Sequence, residues 1–87
     1  MQDEQTNDAA VALRAVGWTL SDDARATRFL ALTGLTPEAL RAGLSDRSLL
    51  AAALRFLEAY EPDLVACAEA LGTTPLQLVE TRRRLEK

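Results

Sequence analysis

Thr33-Gly34-Leu35-Thr36-Pro37-Glu38-Ala39-Leu40 is the stretch on which the fold turns. Gly34 takes up the left-handed conformation that ends a helix without strain. Thr36 offers a side-chain oxygen to the first free N–H groups of a new helix. Pro37 suits the first helical position, where its missing N–H is no loss, and Glu38 complements the positive end of the dipole. One helix therefore stops and another starts within a few residues. The same grammar returns at Gly72-Thr73-Thr74-Pro75, with Gln77 three residues after Thr74, the spacing of a capping box.

Outward from these two junctions the chain divides into capped helices. Upstream, residues 23–33 form a helix with Ala26, Phe29, Leu30 and Thr33 on one face, capped by Ser21 or Asp22. Before it, residues 7–20 carry an apolar stripe of Ala9, Ala12, Leu13, Val16 and Leu20, widened by Val11 and Trp18. Downstream of Pro37 a short helix spans residues 37–42 and ends at Gly43. Ser45 or Asp46 caps a fourth helix over residues 47–59, the richest in Leu and expected to be the most buried. Pro62 disfavours helical geometry at Glu61, so a tight turn at Tyr60-Glu61 leads to a fifth helix starting at Pro62. Its stripe is Leu64, Cys67, Ala68 and Leu71. A sixth helix opens at Thr74-Pro75, buries Leu78 and Val79, and frays at Glu86-Lys87. No segment alternates apolar and polar residues long enough to make a strand. The expected fold is all-α: a compact orthogonal bundle of five or six short helices, with helices 1, 4 and 5 supplying most of the core. Residues 1–6 read as a disordered start, and residues 7–87 as a single helical domain.

The composition suits that architecture. Of the 87 residues 48% are apolar but only 5% aromatic, so the core must be built from Leu, Ala and Val. The formal net charge of −3 argues against a dedicated nucleic-acid binder, which needs a basic face to displace counterions. A single cysteine, Cys67, permits no internal disulfide. Residues 1–8 are polar and acidic, without the basic start and apolar run of a secretory signal. No apolar stretch approaches the roughly 20 residues that span a bilayer. A soluble, cytoplasmic protein is expected.

A register of 38 residues aligns Asp8 with Asp46, Ala15 with Ala53, and Gly34, Thr36, Pro37 and Leu40 with Gly72, Thr74, Pro75 and Leu78. Trp18 then falls on Phe56 and Val16 on Leu54. Helices 1–3 map onto helices 4–6, as two stacked three-helix units would. Shared capping grammar accounts for the identities as well as duplication does.

The residues exclude much chemistry. There is no histidine, the commonest general acid–base residue and metal ligand. One cysteine makes no zinc site, and neither phosphate-binding glycine motif is present. No cofactor and no metal are expected. Cys67 lies on an apolar stripe without an activating base, so it reads as a small buried hydrophobe. Glu58, Glu61 and Asp63 cluster at a helix corner, but the calcium-loop pattern is missing, and capping and solvation are the expected roles. Trp18, Phe29 and Phe56 sit at core spacing, whereas Tyr60 keeps its hydroxyl in water.

One constellation has positive content. Ala68-Glu69-Ala70-Leu71-Gly72, followed by Thr73, Thr74, Gln77 and Leu78, resembles the DNA-binding helix-turn-helix. In that alternative, helices 5 and 6 bind DNA: Thr73, Thr74 and Gln77 read bases, and Arg82, Arg83 and Arg84 contact phosphates. Against it stand the acidic chain, Glu80 on the reading helix, and the capping value of basic residues at a helix C-terminus.

Residues 28–37, reading Arg-Phe-Leu-Ala-Leu-Thr-Gly-Leu-Thr-Pro, together with Leu40-Arg41, carry a resemblance to a family. Leu49-Leu50, Phe56-Leu57, the Glu61 corner and Leu71-Gly72 with Thr74-Pro75 extend it. On these residues the chain resembles a family of small bacterial proteins known only as domain of unknown function 3572. The resemblance implies a helical domain and a bacterial source, and brings no site residues with it. Arg28 and Arg41, which bracket the string, are expected to pair with Asp22, Asp23 or Glu38. With catalytic chemistry missing, the chain is expected to be no enzyme but a non-catalytic interaction module that binds another protein or itself.

Overall fold

Six side-chain and backbone caps punctuate the chain where the local grammar places them. The computed structural model describes the backbone of residues 4–87 and the side chains from Asn7 onward. Its elements are α1 (Glu4–Leu20), α2 (Asp23–Thr33), α3 (Pro37–Ala42), α4 (Arg47–Glu58), α5 (Glu61–Leu71) and α6 (Pro75–Leu85). Among the described residues there is no strand. Asp22 accepts from the backbone N–H of Arg25, Thr36 from Ala39, Asp46 from Ser48 and Thr74 from Gln77. Each satisfies a donor that the first helical turn leaves free. Gly34 and Gly72 close α2 and α5 at φ 72°, in the left-handed region.

Three boundaries differ from the sequence expectation. The unpatterned start expected through Thr6 is helical from Glu4 on, while residues 1–3 lie outside the described residues. Near this end Asp8 is anchored by Arg84 at 2.9 and 3.1 Å. Helix α4 stops at Glu58, one residue early. Helix α5 starts at Glu61, because the Tyr60 carbonyl already accepts from Asp63 and Leu64, and Pro62 has no N–H to satisfy.

The core follows the period-3.6 stripes. Helix α4 buries Leu49, Leu50, Ala51, Ala53, Leu54, Phe56 and Leu57, more than any other helix. Each fully buried Leu or Phe contributes about 1.5–3 kcal/mol of transfer free energy. Helix α1 adds Ala12, Ala15 and Val16, and α5 adds Leu64, Cys67 and Ala68. Phe29 meets Phe56 edge to face, with centroids 5.2 Å apart. Most buried apolar residues thus lie on α1, α4 and α5, yet the most extensive packing joins α1, α4 and α6 in pairs. Helix α6 is more central than its polar sequence suggests, because Leu78, Thr81 and Leu85 all turn inward.

The Gly34 and Thr36 caps recur at the 38-residue offset as Gly72 and Thr74, and so does part of the burial. Ala12 and Leu50, Val16 and Leu54, Phe29 and Cys67, and Leu40 and Leu78 are all buried pairs. The packing does not repeat. Helix α6 packs against α1 and α4, whereas its counterpart α3 makes no extensive contact with any helix. The two halves are interlocked through α6, and one side of α1 next to α3 is left uncovered.

Candidate functional site

Helix α1 presents Ala12, Ala15, Val16 and Thr19 to the core, while the adjoining face carries Leu13, Gly17 and Leu20 at i, i+4 and i+7. The sequence stripe placed Leu13 and Leu20 in the core. Both instead reach solvent, at 42% and 37% exposure, because α3 does not close over them. Together with Val16 they form the floor of a groove. Its walls are Leu30 of α2 and Pro37, Leu40 and Arg41 of α3, with Leu44 at one end. Its volume is about 380 Å³.

Gly17 is the odd residue on that floor. It sits in the last turn of α1, where glycine is a weaker helix former than alanine by up to about 0.5–1 kcal/mol. A Cβ placed there would meet nothing within 4 Å, so no internal packing requires the glycine. Arg41 is the only charged residue lining the groove, and it makes no hydrogen bond or ion pair with any described residue. It was expected to pair with Asp22, Asp23 or Glu38. Asp22 is spent on the α2 cap, and the Arg41 guanidinium stays exposed.

The other arginines, Arg83 apart, are occupied. Arg28 was also expected to pair with acids of its own neighbourhood, but it crosses to Asp63 of α5 and lies 5.0 Å from the Phe56 ring centroid and 5.6 Å from that of Tyr60. Arg25 covers the Trp18 ring at 3.5 Å and donates to the Trp18 and Thr19 carbonyls. Helix α1 has no glycine at its end, so Arg25 satisfies carbonyls that would otherwise be orphaned. Arg14 donates to the Leu71 carbonyl at the end of α5, and Arg47 to the Arg84 and Leu85 carbonyls of α6.

The residues of the helix-turn-helix reading have structural work here. Thr74 caps α6, and the Thr73 hydroxyl donates to the Gln77 side chain. Arg82 grips both oxygens of Glu58, at 2.7 and 3.0 Å, and Glu86 at 2.7 Å. Those carboxylates hold the Arg82 guanidinium's pKa above its ordinary value. Arg55 joins the cluster through Glu86 at 2.5 Å. The two arginines hold the pKa of the Glu86 carboxyl below its usual range. Arg84 pairs with the buried Asp8, and Arg83 is exposed.

The corner carboxylates are not brought together. Glu58 turns to Arg82, Asp63 to Arg28, and Glu61 to solvent. Among the described residues no group of three or more His, Cys, Asp or Glu side chains is placed to hold a metal ion. Cys67 is fully buried, and desolvation pushes its thiol up to about 11, against the opposing pull of Arg25 and Arg14. Tyr60 is half exposed, and with Arg28 and Leu32 it borders a second depression of about 370 Å³.

A family model described as "Protein of unknown function (DUF3572)" matches residues 5–87, nearly the whole chain. The chain belongs to that family. No curated protein and no solved structure matches it significantly. The string that carries the resemblance to DUF3572 supplies Leu30, Pro37, Leu40 and Arg41 to the groove. Among the described residues no helix is long and apolar enough to cross a membrane.

The groove itself escaped the sequence reading. Its one legible signal was a glycine interrupting a helix between two leucines at i−4 and i+3, on a face assigned wholly to the core.

Proposed function

We propose that this chain is a non-catalytic protein-interaction module, and that the face formed by α1, α2 and α3 is its docking surface. The observation that carries the reading is the open apolar groove floored by Leu13, Gly17 and Leu20. The exposed Leu13 and Leu20 do not stand singly: they share one concave apolar lining with Leu30, Leu40 and Leu44. Three features add support. Histidine is missing from the chain. The buried Cys67 thiol is held in its unreactive protonated form. The corner carboxylates are dispersed into ion pairs.

The test is a comparison of the full chain with Leu20→Glu in affinity capture with mass spectrometry, alongside light scattering. A specific partner, or self-association, that Leu20→Glu abolishes is the expected result. A partner set and particle mass unchanged by Leu20→Glu would remove this face from the reading.

The helix-turn-helix alternative has weaker support. Arg82 and Arg84 already neutralise Glu58, Glu86 and Asp8, so phosphate contact would first break those pairs. Helix α6 also packs between α1 and α4. The expectation is no mobility shift with mixed-sequence duplex DNA at low salt, and a shift abolished by Arg83→Ala would reinstate the alternative.

A further inference from the structure

We propose that the groove takes one amphipathic helix of a partner protein, with aliphatic side chains laid over Leu13, Gly17 and Leu20 and a carboxylate paired to Arg41. This rests on the interaction reading above and specifies the partner's chemistry.

The form of the occupant follows from what the groove lacks. An added strand needs a sheet edge for its backbone hydrogen bonds, and the described residues contain no strand. A proline-rich segment docks on aromatic walls, and no aromatic side chain lines this groove. A helix satisfies its own backbone and needs only an apolar trough. The floor from Leu13 to Leu20 is about 10 Å long at the helical rise, enough for roughly two turns of a helix laid along α1. Gly17 lies between the two leucines, and the open space over it lets a partner side chain approach the α1 backbone.

The charge follows from Arg41. It is the groove's only ionic side chain and has no partner among the described residues, a state it shares with the exposed Arg83 of α6, whereas Arg25, Arg28, Arg47, Arg55, Arg82 and Arg84 all have partners within the fold. A guanidinium presents a planar donor fork that matches a carboxylate. The chain's net charge of −3 opposes an acidic partner only weakly, since exposed charges beyond about 8 Å are screened at physiological salt.

The chain also contains its own contrast. At the 38-residue offset Gly17, Leu20 and Leu44 correspond to Arg55, Glu58 and Arg82. There the largely buried ion pair Glu58–Arg82 closes the junction of α4 and α6. The corresponding junction beside α3 is lined by apolar side chains and Arg41 instead.

The experiment uses the full chain as bait for a displayed library of 16-residue helical peptides with randomised surface positions. Selected peptides should carry aliphatic residues at i, i+4 and i+7 with Asp or Glu on one flank. Their affinity should fall about fivefold with Arg41→Ala, the order of a single exposed ion pair. Binding to Arg41→Glu should be recovered when the peptide carboxylate is replaced by Lys. Gly17→Leu, which fills open space without touching the core, should reduce binding more than tenfold while circular dichroism stays unchanged. Peptides that need Gly17 but ignore every Arg41 change would overturn the acidic helix and leave the docking surface standing. Peptides indifferent to Gly17→Leu bind elsewhere, which would overturn both. A library that yields no binder, or a chain that dimerises until Gly17→Leu is introduced, also overturns the acidic helix, the latter in favour of a second copy.

Discussion

At the scale of single residues the glycines separate by what their backbone needs. Gly34 and Gly72 sit at φ 72°, where a Cβ is strained whatever the space around it. Gly72→Ala should therefore destabilise the chain by about 1–2 kcal/mol, measured as a lower urea midpoint at unchanged slope. Gly17 has ordinary helical geometry and open space, so Gly17→Ala should stabilise by about 0.5–1 kcal/mol in the same experiment. A loss of stability would show that Gly17 serves packing after all. The first assignment was legible from Gly-x-Thr-Pro alone, because a cap is a local device. The second was not, because a sequence stripe cannot say whether a neighbouring helix covers it. Arg28 makes the same point. Its acid, Asp63, lies 35 positions away and comes near only after α5 folds back.

At the scale of the helices, α6 is held by local and long-range devices that can be separated. Thr74→Ala removes the N-cap and should cost about 1 kcal/mol by thermal or urea denaturation. Arg82→Ala leaves Glu58 and Glu86 without their shared partner and should cost on the order of 1 kcal/mol, and less in high salt. Arg83→Ala, on the exposed face, should stay within about 0.5 kcal/mol of the unmodified chain. Equal losses from Arg82→Ala and Arg83→Ala would contradict the division of labour in that basic run. The sequence shows three adjacent arginines with one composition. Only the rotation of α6 against α4 and α1 turns one to Glu58, one to solvent and one to Asp8.

At the scale of the whole molecule, Cys67 reports on the integrity of the core. Its thiol is pushed up to about 11 by burial, above the value of about 9 that it regains on unfolding. The folded state therefore favours the protonated form. The stability this contributes is complete below pH 9 and is lost as pH rises from 9 towards 11. Tm should fall more steeply across that window for the unmodified chain than for Cys67→Ala. Parallel curves for the two would show that the thiol titrates normally. In the native state at pH 7.5 the thiol should also resist alkylation until denaturant is added.

The sequence by itself determined the helical segments, most of their caps and most of the core, Leu13 and Leu20 excepted. Those depend on side-chain oxygens, glycines and prolines acting within a few residues, and on apolar periodicity. It also identified the buried role of Cys67, since an apolar stripe and a missing base were both visible. The tertiary structure alone decided that α6 sits at the centre, that α3 stands aside, and that Leu13, Gly17, Leu20 and Arg41 share a solvent-open groove. These depend on which helix covers which face. In a chain whose two halves share the Gly-x-Thr-Pro junction and part of their burial, that choice rests on long-range pairs such as Glu58–Arg82 and Asp8–Arg84, which local grammar does not encode.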